Sequence, residues 1–274
     1  MTTRGAKEHG EEDVHPGPRR FGEDCVRVLE HDPELGLRVP AALITRARAE
    51  LVAPARWVQP GLWQLAADPD RRADLGYLVL DGVLARDVML TGTICTELLG
   101  EGDLVQPAVS LRDETLIRYR VLWHVLDPVR VAVLDEHFAR SLGEWPQVMN
   151  ALLERALRRA HRTAIHQALL QLSPVETRLL VLFWHLAERW GRVTPAGIVI
   201  RLRLPHRLLG QLVGCRRASV TTALQRIASS GLVERRADCT WLLHGSPPDE
   251  IIKIRWEARN REQHHAGAVN SAGH

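Results

Sequence analysis

The sequence predicts an α+β fold: an antiparallel sheet domain over residues 36–134, helices including one long one over 135–172, and a winged helix-turn-helix over 173–246. Three observations predict it. Short β-prone runs separated by turn signals fill the first half; residues 147–172 form a helical stretch free of Gly and Pro; and 206–233 reads as a helix, a glycine turn and a second, basic helix. An arm at 1–35 and a tail at 247–274 flank these parts.

The arm is rich in Gly, Pro, His and charge, so it is expected to be flexible apart from a short helix near 23–29. Strand candidates follow at 55–58, 75–80, 83–90, 93–98 and 118–125. Asp81-Gly82 and Thr91-Gly92 favour positive backbone angles, and each predicts a hairpin turn between neighbouring runs. Trp57, Trp63 and Trp123 are expected in the core of the sheet domain.

A short helix is expected over 135–142, ended by Gly143. The long helix starts near Pro146, and Met149, Leu153, Ala156, Ala160, Ala164 and Ala168 recur along it at steps of three and four, with Leu152, Leu157, Ile165 and Leu169 beside them. Either this helix packs only on its own domain, or the stripe with Leu157 forms the seam of a two-helix homodimer, where small residues permit close approach. Ser173-Pro174-Val175-Glu176 reads as a capping box with proline at the first helical position. It starts a new helix that Gly191 ends, and sets a domain boundary near 172.

In the helix pair, Leu208, Leu209, Leu212 and Val213 share one face, Gly214 permits a tight turn, and Val220, Leu224 and Ile227 are the buried face of the second helix. Its other face carries Arg216, Arg217, Ser219, Thr221, Thr222, Gln225 and Arg226. These residue types reach base edges and phosphates when a helix N-terminus enters a major groove of double-stranded DNA. A polar-faced pair inside another helical domain would look similar, but two neighbours argue for a wing: the β-prone runs 232–236 and 240–243, around Ala237-Asp238, and a strand candidate at 197–202.

The bulk numbers exclude other classes. A chain of 274 residues, 45% hydrophobic, can bury cores in two ordinary domains, and a net charge of +3 permits nucleic-acid binding without indicating it. Cys25, Cys95, Cys215 and Cys239 show no metal-finger spacing and are expected to be buried thiols in a reducing cytoplasm. The N-terminus lacks an apolar signal region, and no run of about 18 apolar residues occurs, so neither secretion nor a membrane span is expected. No catalytic constellation stands out. Thirteen histidines, among them His124, His137, His161 and His166, are scattered as solvated or hydrogen-bonded groups are, and neither a haem nor an iron-sulfur cluster is expected.

The segment LLGQLVGCRRASVTTALQRIASSGLV resembles the DNA-binding domain of the Crp/Fnr superfamily of bacterial transcription regulators, above all in 210–215 with Arg217 and Val220. Residues 98–104 are similar to the LxxGD turn of that family's cyclic-nucleotide-binding β-roll. The resemblance implies a β-roll sensor, a dimerisation helix, and two recognition helices reading a palindrome one helical turn apart. It implies that Arg217 reads guanine, while Arg216 and Arg226 are expected to meet phosphates. Ala218 and Thr222 replace two base-reading residues of the catabolite activator, so the operator should differ, and Leu204-Pro205 stands where the family has a capping threonine. The usual cyclic AMP cassette is absent. After Gly102-Asp103 the chain reads Leu104-Val105-Gln106-Pro107, and neither Arg112 nor Arg118 precedes a hydroxyl residue.

The expectation is a cytoplasmic homodimeric regulator, not an enzyme, with no evident cofactor, an unidentified effector, and RNA polymerase as a possible partner. Two rivals remain at this level: a ligand-independent regulator controlled by a partner protein, and a ligand-binding module whose winged helix contacts protein.

Overall fold

The structure, a computed structural model, describes residues 24–65, 75–106 and 117–247. It opens with β1 (Cys25–Arg27), α1 (Val28–His31), a 3-10 turn over Pro33–Gly36 and α2 (Ile44–Glu50). β2 (Val52–Val58), β3 (Gly61–Trp63), β4 (Gly76–Leu90), β5 (Thr93–Gly100), β6 (Leu104–Val105) and β7 (Arg120–Leu134) form an antiparallel sheet with β1, in the order β1-β2-β7-β4-β5, β3 also pairing with β7 and β6 with β4. α3 (Glu136–Leu142) and α4 (Pro146–Leu170) follow. The last part is α5 (Val175–Trp190), β8 (Gly191–Thr194), β9 (Gly197–Ile200), α6 (His206–Leu212), α7 (Arg217–Ser229), β10 (Val233–Arg235) and β11 (Trp241–Leu243).

Period-two alternation divides the sheet's two faces. Val129, Val131 and Val133 of β7 turn into the roll against Trp63, Tyr77 and Trp123, whereas Ala132 and Leu134 pack under α1, α3 and the start of α4 with Leu29, Phe138 and Val148. The third core joins α5, α6, α7 and the wing, and it also takes in Val83, Ala85 and Leu98 of the sheet.

Asp81-Gly82 does not turn the chain. β4 runs straight through it for 15 residues, and the pairing with β7 shifts register between Val79 and Leu84. Asp81 Oδ1 accepts the Gly82 N–H at 2.7 Å, Gly82 takes φ +87°, and a Cβ there would lie 2.2 Å from the Pro128 carbonyl oxygen. Pro128, which has no N–H to give, sits opposite this irregularity, where a long ribbon bends. Thr91-Gly92 does close a hairpin: Leu90 pairs with Thr93, and both turn residues have positive φ.

Four further expectations are corrected. Residues 24–35 are not a free arm, since Cys25–Arg27 pairs with β2 instead of starting a helix, and Val28, Leu29 and Leu35 are fully buried. Residues 1–23, and the apolar run 251–256, lie outside the described residues. Trp57 is exposed while Trp63 and Trp123 are buried, because the helical layer that covers Ala53 and Ala55 on the same face of β2 does not include it. None of the four cysteines is buried: Cys25 and Cys95 are exposed, and Cys215 and Cys239 are half-buried. Ser173 caps nothing, because Pro174 itself occupies the N-cap of α5 and has no side-chain acceptor.

Gly82→Ala should lower stability by about 1–3 kcal/mol or more, from the left-handed backbone and the clash with Pro128, measured as a fall in the urea midpoint.

Candidate nucleic-acid interface and a cavity under the long helix

α6 and α7 pack as the apolar pattern requires. Leu208, Leu209, Leu212, Val213, Val220, Leu224 and Ile227 are all buried, and Gly214 has φ +62°. Gly210 is needed for close approach, since a Cβ would sit 2.7 Å from the Cys215 carbonyl, while the Cys215 N–H donates to the Gly210 carbonyl at 2.9 Å. Pro205 is the N-cap of α6 and not part of its first turn, and no side chain caps that helix. His206 anchors this end in another way, with its Nδ1 2.9 Å from Thr221 Oγ1, which ties the start of α6 to α7.

Arg216 is the N-cap of α7, with no side-chain cap, and Arg216, Arg217, Ser219, Thr222, Gln225 and Arg226 are exposed on one face. Thr221 is different. It is half-buried, donates to the Arg217 carbonyl at 3.1 Å and meets His206, so it positions the helix. Arg226 is held by Glu176 of α5 at 2.6 Å, which places it at the back of the face. The Glu176 carboxyl is kept below the usual carboxylate range, first by its own backbone N–H and then by Arg226.

α5 braces the pair. Arg178 Nη1 donates to the Val213 carbonyl at 2.8 Å, and Phe183 packs against Trp241 of the wing with centroids 4.9 Å apart. β10 and β11 pair from Val233 with Leu243 to Arg235 with Trp241, and β11 continues onto β9 and β8. β8 was not legible in the sequence, nor was Arg235, hidden in an unremarkable LVERR run. Arg235 is exposed on β10, and the His206 imidazole is pushed below its ordinary value first by burial and then by the charges of Arg235 and Arg217.

The winged helix is docked on its own chain's sheet through Asp103, which is only 4% exposed. Asp103 Oδ2 accepts the Gly100 N–H at 3.0 Å and Arg189 Nη1 of α5 at 2.6 Å, while Oδ1 accepts Arg162 of α4. Arg189 also donates to the Glu101 carbonyl at 2.7 Å. The LxxGD-like turn is therefore a junction of three parts of the chain.

α4 presents opposite chemistry on its two sides. Arg155 meets Asp32 at 2.7 Å, Arg159 holds both oxygens of Glu97 at 2.8 Å and the Leu104 carbonyl at 2.8 Å, and Arg162 holds Asp103. Leu152 and Leu169 join this inner face, buried in the chain's own cores. Met149, Leu153, Ala156, Leu157, Ala160, Ala164 and Ala168 are exposed, Leu153 at 57% and Leu157 at 61%. Between the sheet and α4 lies a cavity of about 700 Å³ whose walls include Arg86, Glu97, Trp123, Arg159, Ala160 and Ala164. Half of the alanine stripe thus lines a cavity. Arg112 lies outside the described residues.

No protein-family model matches the chain, and no curated protein does. Solved structures do match it. CLP, the c-di-GMP responsive global regulator of Xanthomonas campestris, aligns with 76% of this chain and 100% of its own at 21% identity, TM-score 0.53. FixK2 from Bradyrhizobium japonicum aligns over 70% of this chain and 93% of its own at 16% identity, TM-score 0.54. A cyclic nucleotide-binding domain containing protein from Listeria monocytogenes aligns over 69% and 88% at 11% identity, TM-score 0.56. The chain therefore has the fold of Crp/Fnr-type regulators, an antiparallel sheet domain joined to a winged helix-turn-helix. Among the described residues no helix is long and apolar enough to cross a membrane.

The junction can be probed in two ways. Asp103→Ala leaves Arg162 and Arg189 without their shared carboxylate and should cost about 2–3 kcal/mol, with faster proteolysis near α5. His166 and His185, both partly buried where α4 meets α5, are held below the ordinary imidazole value of 6.5. Burial is the main cause for each, followed by His185 beside His166; for His185, Arg162 adds to burial against the opposing pull of Glu188. The folded state prefers them neutral, so stability is full above that ordinary value and falls as pH drops below it. The melting temperature should decline from about pH 7 to about pH 5, and His166→Gln should flatten the decline; an unchanged slope would remove His166 from the account.

Proposed function

We propose that this chain is a sequence-specific DNA-binding transcription regulator without catalytic activity, acting as a homodimer on a palindromic operator and modulated by an effector in the cavity under α4. The observation that carries the proposal is the uncapped N-terminal face of α7, where Arg216, Arg217, Ser219, Thr222 and Gln225 are exposed beside Arg235 of the wing while α5 braces the helix from behind. An exposed face of short and forked donors with no large apolar anchor suits a groove better than a protein surface.

Arg217 is the base reader in this proposal, and Arg216 and Arg235 meet phosphate. Arg226 is left a secondary backbone contact because it would have to leave Glu176. The dimer rests on α4: exposed Met149, Leu153 and Leu157, with the small alanines beside them, are an unused apolar surface of the kind a second helix covers.

Selection from a random duplex pool by the purified protein should enrich a palindrome with half-sites about one turn apart. Arg217→Ala should relax discrimination at one position by about 1–3 kcal/mol with dimer mass retained, whereas Leu157→Asp should give monomers in ultracentrifugation and lose the palindrome. Enrichment unchanged by Arg217→Ala would sink that residue's role.

A further inference from the structure

Resting on the reading of the sheet domain as an effector sensor, we infer that the cavity between the sheet and α4 binds a small organic monocarboxylate with an apolar body. About 700 Å³ is the size of a small-molecule site. Trp123, Val121, Leu104, Ala160 and Ala164 give it an apolar lining. Among the described lining residues, two guanidiniums, Arg86 and Arg159, face one carboxylate, Glu97.

The two arginines are not equivalent. Arg159 has all three of its nitrogens engaged, Nε and Nη2 on the two oxygens of Glu97 and Nη1 on the Leu104 carbonyl. Burial alone would raise the Glu97 carboxyl, but Arg159 and Arg86 outweigh it and hold the group ionised. Glu97 is thereby neutralised chiefly by Arg159. Arg86 makes one long contact, 3.4 Å to Glu97, and lies 5.9 Å from the Trp123 ring centroid. Among the described residues it is a half-buried cation with N–H donors left over, on an aromatic wall. A carboxylate accepts two parallel bonds from such a fork. A neutral ligand would remove water from Arg86 and give it no counter-charge. Gln106, Thr163 and Gln167 at the cavity wall offer hydrogen bonds to a polar group on a ligand, and cyclic AMP is therefore included in the test as the competing ligand.

The test is calorimetric titration of the purified protein with phenylpropionate and with indole-3-acetate, each beside its primary amide, and with cyclic AMP. Each acid should bind at least about tenfold tighter than its amide. Arg86→Gln should abolish that difference and Arg86→Lys should restore part of it. The acid-to-amide comparison uses the unaltered protein and so does not depend on the variants folding. Equal binding of acid and amide, tighter binding of cyclic AMP, or no binding of either acid at about 1 mM would overturn the inference. Duplex selection on the same preparation separates the two readings: an enriched palindrome without acid binding sinks the ligand class alone, and acid binding without enrichment sinks the regulator reading alone.

Discussion

Asp103 is the constraint on which the arrangement of this molecule depends. A nearly buried carboxylate must be compensated, and here the compensation comes from two arginines on different elements, Arg162 of α4 and Arg189 of α5, plus the backbone of its own turn. One desolvated charge therefore fixes the sheet, the long helix and the winged helix in a single register. The apolar contacts alone would be less exacting, since Val83, Ala85 and Leu98 against the winged helix tolerate sliding, whereas hydrogen bonds to a shared carboxylate do not.

α4 extends the same logic over several turns. Its inner side carries a ladder of arginines, Arg155, Arg159 and Arg162, each matched to a carboxylate of the sheet domain, between the buried Val148 and Leu152 at one end and Leu169 at the other. Arg159, on the cavity wall, and Arg162, at the junction, lie one turn apart on the same helix.

Much of the fold was legible. The helix pair shows in the sequence because a 3.6 period, a glycine turn and β-prone neighbours agree, and the Thr91-Gly92 hairpin because its signal is purely local. Where local signals met long-range partners they misled. Asp81-Gly82 is a turn dipeptide made into a bend within a strand by Pro128, 46 residues away in sequence. Ser173 was disarmed as a cap by its own neighbour, and the charge of residues 24–35 masked the apolar positions that anchor them. At the interface, periodicity separated the inward from the outward face of α7 but gave no sign that Thr221 is spent on His206 or Arg226 on Glu176. The arginines of α4 gave no signal in the sequence because their partners lie 59 to 123 positions earlier.

The alanines that let a second helix approach are also walls of the cavity, and this has a kinetic consequence. In the proposed dimer, a partner helix along Ala156, Ala160 and Ala164 would form part of the roof over whatever occupies the space beneath. Escape would then require the subunits to part or the helix to bend, so residence time would be set by opening of the pair and not by the strength of any single contact. A pair built in that way would hold its last ligand for as long as the two helices stayed together.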